Sequence, residues 1–203
     1  MFELTGDPFY AQIAKYDRCV VEYCLIGDDA PHRGKRSHYD AVLFAMLKVI
    51  ERWIDEDGRD FIRFGDAAGA EPFHWKLDME KAKAVPIGAD ALLFVPEILR
   101  VDRNGTVFYN CAWEPNDENF GGQIPYWYAF LEPPFTTGYG PEDFRRVNSV
   151  LFPAGADALE VYQWTTDWSN YFDAGHEWWG AACWSVYDRR MERYAVLLAS
   201  ATD

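Results

Sequence analysis

Two runs near the C-terminus, WWGAACWSVY (Trp178–Tyr187) and RYAVLLAS (Arg193–Ser200), constrain this chain more than any other feature. The polar loop DRRME joins them, and the pair reads as a β-hairpin. Side chains along a strand alternate between its two faces. In the first run Trp178, Gly180, Ala182, Trp184 and Val186 share one face; Trp179, Ala181, Cys183, Ser185 and Tyr187 share the other. Both faces are mostly apolar, so the strand belongs in the middle of a sheet that is covered on both sides. Small residues opposite large ones let the covering layers interdigitate.

The rest of the chain supplies the cover. Asp7-Pro8 is a helix start, a capping side chain followed by proline at the first helical position. The helix runs through Phe9, Ile13 and Tyr16, and the apolar CVVEYCLIG after it is ambiguous between helix and strand. Ser37 followed by Asp40 resembles a capping box. Val42, Leu43, Met46, Leu47, Val49, Ile50, Trp53 and Ile54 then recur at helical spacing, and Gly58 ends the helix. RDFIRFG is a short strand or a helical turn, and LDMEKAKA predicts a short exposed helix stopped by Pro86. EILRVD-RNG-TVFYNCAWE reads as a hairpin around Asn104-Gly105, and IPYWYAFLEPP as a strand between prolines. GYGPEDFRRVNSVLF is a helix with Pro141 at its first position, and ALEVYQWT is another strand.

These elements predict a single α+β domain over residues 1–203, an antiparallel sheet of five or more strands with flanking helices. Residues 1–90 are expected to be mainly helical, and 91–203 mainly β with one helix near 141–151.

Charge and cysteines narrow the setting. The net charge is −14, which repels phosphate backbones and disfavours nucleic acid as a partner; it steers a basic protein partner instead. The N-terminus lacks the pattern of a signal peptide, and no run approaches the length of a membrane span. Cys19, Cys24, Cys111 and Cys183 show no metal-finger spacing and read as buried thiols of a reducing compartment. The expectation is a cytoplasmic protein.

The segment TTDWSNYFDAGHEWW, before the central strand, mixes aromatics with carboxylates on a loop, as binding sites on rigid scaffolds do. Asp167, Trp168, Tyr171, Asp173, His176, Glu177 and Trp178 form the candidate surface, with Trp113 and Asp117 as neighbours. The same mixture also suits a structural cap on the end of a sheet. DWSNYFDAGHEWWGAACWSVYD and the terminal YAVLLASATD resemble the C-terminal signature of small acidic bacterial proteins of uncharacterised function. YWYAFLEPP and EDFRRVNSVLFP belong to the same pattern. The resemblance implies a bacterial cytosolic protein and brings no catalytic residues with it.

Few chemistries fit the residues. His32, His38, His74 and His176 are scattered without HExxH, so a metal site can arise only through folding, and neither a metal nor another cofactor is expected. GxSxG is absent, and an inward-facing Cys183 is inert as a nucleophile. Arg33, Lys35 and Arg36 before the long helix are a weak anion candidate without the Walker pattern. What remains is a non-catalytic protein-binding module, analogous in bulk to immunity proteins that cover the active site of a toxin. The alternative is a small-molecule or carbohydrate-binding protein, or a hydrolase, with carboxylates among Trp platforms.

Overall fold

The computed structural model describes residues 1–56, 75–111, 123–135, 137–177 and 179–201, without the side chains of 54–56. A six-stranded antiparallel sheet organises them. In chain order its strands are β1 (Phe2–Glu3), β2 (Val21–Gly27), β3 (Ala84–Ile87), β6 (Leu159–Trp164), β7 (Ala181–Asp188) and β8 (Arg193–Ser200), and its spatial order is β1-β2-β8-β7-β6-β3. β4 (Ile98–Val101) and β5 (Val107–Tyr109) form a separate two-stranded sheet. The helices are α1 (Pro8–Ile13), α2 (Lys35–Glu56), α3 (Ala89–Leu93), α4 (Tyr126–Leu131), α5 (Pro141–Leu151) and α6 (Asp173–Glu177).

The alternation read from the C-terminal hairpin sets the two cores. Ala182, Trp184 and Val186 of β7 share one face with their β8 partners Ala199, Leu197 and Ala195. That face lies under α1, α4 and α5, through Phe9, Phe130, Phe144 and Leu151. Ala181 and Cys183 of β7 share the other face with Leu198 and Val196 of β8, under Val42, Met46 and Val49 of α2. The parity breaks at Trp179: Gly180 takes a φ of 125°, open to glycine alone, and turns Trp179 to the Trp184 side. There the Trp179 indole N–H donates to the Glu132 carbonyl at 2.6 Å.

Several elements differ from their sequence reading. CVVEYCLIG resolves as β2, because its residues bury against both cores between β1 and β8. LDMEKAKA forms no helix; a turn at Asp78–Lys81 leads into β3, and Pro86 sits within that edge strand, where a missing N–H costs no ladder bond. IPYWYAFLEPP is the helix α4 instead of a strand. Five of its six helical residues are buried, so six apolar residues carried no period to tell the two apart. Residues 1–90 hold β1, β2 and β3 beside α1, α2 and the start of α3, and helix outweighs strand among the described ones. α2 starts at Lys35, two residues before the proposed cap, and Ser37 Oγ accepts the Arg33 N–H instead. RDFIRFG lies outside the described residues.

One half-buried carboxylate gives a pH prediction. Glu132 accepts the Tyr109 hydroxyl, and burial raises its pKa despite that bond. A raised carboxyl pKa contributes stability in full below its unfolded value and loses it as pH rises through the folded value. Glu132→Gln is therefore expected to raise stability at neutral pH, with the gain vanishing towards about pH 4. Melting temperatures of both proteins across that range check it; a constant difference would contradict it.

Candidate functional site

The predicted loop is stitched to the end of the sheet. Trp168 and Tyr171 are buried, with Trp168 at 1% exposure, and both belong to the core beneath α2. The Trp168 carbonyl accepts the Asp78 N–H at 2.7 Å, and Asn170 Oδ1 accepts the Lys76 N–H at 2.8 Å. Gly175 packs so tightly that a Cβ there would lie 2.2 Å from the Gly180 carbonyl oxygen, and its N–H donates to Ser200 Oγ. Asp167, Asp173, His176 and Glu177 face solvent, and His176 Nε2 lies 2.7 Å from Thr166 Oγ1. As a surface this segment thus offers carboxylates and an imidazole but neither the Trp168 nor the Tyr171 ring, because both rings fill the space between the sheet end and α2. Trp113, Asp117 and Trp178 lie outside the described residues.

The basic residues around the start of α2 do not converge on an anion position. Arg33 and Arg36 both reach Asp40, at 3.3 and 3.1 Å, and Lys35 Nζ donates to the Ala84 carbonyl at 3.0 Å. Cys24 and Cys183 are buried free thiols; burial pushes the Cys24 pKa up to about 12 and raises that of Cys183 well above the ordinary range. His176 and Cys183 do not form a nucleophile pair: Cys183 lies in the core and His176 is engaged with Thr166.

A different constellation sits beside the N-terminal turn of α2. The strand register aligns Glu160 with Tyr187 and Tyr187 with Tyr194, a row of polar side chains across three strands. The adjacent row pairs Tyr162 with Ser185. His32, in the loop after β2, stacks on Tyr187 with centroids 4.0 Å apart and planes 5° from parallel. His38, in the first turn of α2, points down onto Ser185 and lies edge-on to the rings of Tyr162 and Tyr194.

The geometry around the two histidines is specific. His38 Nδ1 lies 2.8 Å from Ser185 Oγ, which also accepts the Trp164 indole N–H at 2.8 Å. His32 Nδ1 lies 2.8 Å from the Tyr194 hydroxyl. Both Nε2 atoms face Glu160 Oε1, at 3.4 Å from His32 and 3.5 Å from His38. Arg189 holds the other carboxylate oxygen at 3.2 Å. His38 is fully buried, and burial, opposed by the nearby carboxylate, pushes its pKa down to about 4, so the imidazole is neutral at neutral pH. Three ligand-type atoms, one each from His32, His38 and Glu160, all lie within 4.8 Å of one another.

Sequence reasoning did not group these residues. Glu160 is far from His38 in the chain, and only the β6–β7–β8 register places it under the α2 N-terminus. The one local signal was a pair of histidines flanking the start of the clearest helix.

Compared with known protein families, curated proteins and solved structures, the chain matches none. Among the described residues, no helix is long and apolar enough to cross a membrane.

Proposed function

We propose that this chain is a non-catalytic protein-binding module, of the kind that neutralises a toxin by covering it, with a basic protein as partner. The observation that carries the reading is the β4–β5 hairpin. All four residues of β4 are exposed, and three of them are Ile98, Leu99 and Val101. Leu99 sits at a break in the strand register and is 66% exposed, and Phe108 of β5 adds apolar surface to the same hairpin. Clustered exposed apolar residues mark interaction sites, and a two-stranded sheet has unpaired edges that accept a further strand. The hairpin is anchored at its base, where Tyr109 packs edge-on against Trp127 and Glu97 pairs with Arg145. The −14 charge favours a basic partner over an acidic one.

Leu99→Asp tests this reading. Its exposure predicts a stability change within about 0.5 kcal/mol, whereas an anchor residue lost from an interface weakens binding at least about thirtyfold. The measurement is affinity capture with both proteins, followed by titration of the purified partner at several salt concentrations. A partner that binds both proteins equally, or binding that is insensitive to salt, would count against the reading.

A second reading, a small-ligand site, is favoured by one observation: a cleft of about 390 Å³ beside His32, lined by Asp28, Asp29, Tyr187, Glu192 and Tyr194. A carbohydrate platform built on Trp168 is not supported, since that ring is buried.

A further inference from the structure

We propose that His32, His38 and Glu160 bind one divalent transition-metal cation of the zinc class. The inference does not depend on the hairpin reading, since it concerns the sheet face under α2, whereas the hairpin is anchored on α4 and α5.

The first support is a pair of orphaned atoms. His32 Nε2 and His38 Nε2 are both buried and have no hydrogen-bond partner within the protein. At 3.4 and 3.5 Å from Glu160 Oε1 they are beyond the 2.7–3.2 Å of an ordinary N–H···O bond. A buried polar atom left in this way costs about 1–3 kcal/mol, so two aimed at one carboxylate oxygen require a partner. Metal bonds of about 2.0–2.2 Å in tetrahedral arrangement separate neighbouring ligand atoms by about 3.3–3.5 Å. Two edges of the cluster already have that length, and the third is no longer than 4.8 Å. The spacing is too long for direct hydrogen bonds and right for a shared ion.

The surroundings are those of ligating histidines. Such residues typically pass the second ring nitrogen to an oxygen, which sets the tautomer and aims the other nitrogen's lone pair. Here Ser185 Oγ and the Tyr194 hydroxyl take the two Nδ1 atoms at 2.8 Å each. The Trp164 indole fixes Ser185 in turn, and Arg189 occupies Glu160 Oε2 while leaving Oε1 for the ion. Two imidazoles and one carboxylate suit zinc, cobalt or iron(II), whereas calcium and magnesium prefer all-oxygen sites. Three protein ligands leave at least one coordination position open. His32 borders the cleft of Asp28, Tyr187 and Tyr194, which provides an entry path.

The test uses untagged, chelator-treated protein titrated with Zn²⁺ by calorimetry and with Co²⁺ by visible absorption. The expected result is one equivalent bound, the ligand-field bands of a four- or five-coordinate ion, and a melting temperature that rises with Zn²⁺. Loss of supporting hydrogen bonds alone weakens such sites by about tenfold to a hundredfold, so Glu160→Gln and His32→Gln should each exceed about a hundredfold. His176→Gln should change nothing. Both ligand variants alter partly exposed side chains, so their folding can be verified by near-ultraviolet circular dichroism even if a His38 variant fails to fold. Absence of a stoichiometric micromolar site in the wild-type protein would overturn the proposal. So would Zn²⁺ binding that survives in folded Glu160→Gln and His32→Gln proteins, or that His176→Gln removes.

Discussion

Trp168→Ala is expected to destabilise the protein by about 3–5 kcal/mol, the range for removing a fully buried indole. Trp168 packs edge-on against Phe172 with centroids 5.2 Å apart, and its indole N–H donates to the Thr165 carbonyl. The substitution leaves a cavity and removes the donor to the half-buried Thr165 carbonyl, and the segment cannot collapse to fill the gap, because Gly175 and Gly180 already touch. Asp173→Asn and Glu177→Gln, on solvent-facing positions of the same segment, should stay within about 0.5 kcal/mol. Urea unfolding with an unchanged m-value measures the difference. A loss below about 1 kcal/mol for Trp168→Ala would mean that the ring is not core and would return the whole segment to the list of binding surfaces.

Asp7→Ala should cost about 4–6 kcal/mol, from two separate roles of one carboxylate. Oδ1 caps α1 by accepting the Phe9 N–H at 2.9 Å, a contribution of about 1 kcal/mol. Oδ2 pairs with Arg193, whose guanidinium is buried at the start of β8 and otherwise donates to the Leu151 carbonyl at 2.8 Å. Removing one partner of a buried pair strands the other charge, which costs about 3–5 kcal/mol, whereas replacing the whole pair with apolar groups is far milder. Asp7→Ala combined with Arg193→Met should therefore recover most of the loss. A double-mutant cycle by chemical denaturation reads the coupling directly; additive effects would show that the two residues do not depend on each other.

Legibility in the sequence followed the strength of local signals. The C-terminal hairpin, α5, the Asp7-Pro8 start and the Asn104-Gly105 hairpin were readable because each carries its own cap, turn or alternation. In the β4–β5 loop the Asp102 carboxylate accepts the Asn104 and Thr106 N–H groups and Gly105 takes a φ of 86°, as that loop chemistry implied. α4 and β3 were misread because their residues lack a period long enough to decide. Apolar side chains on every side of a single short helix look the same as a buried strand. The Asp167–Glu177 segment stayed open between two readings for a different reason: tryptophan beside aspartate has the same composition in a binding loop and in a structural cap. Only burial separates them.

What the sequence by itself determined is the α+β class, the central position of β7, and the opposite faces onto which its side chains divide. These follow from alternation, an interaction between neighbours in the chain. The tertiary structure alone decided which chemistry assembles. Glu160 meets His32 and His38 because β6 pairs with β7 in one register, and a shift of a single residue would turn Glu160 to the opposite face, away from both imidazoles. Register is set by packing summed over the whole sheet, so no local stretch of sequence records it.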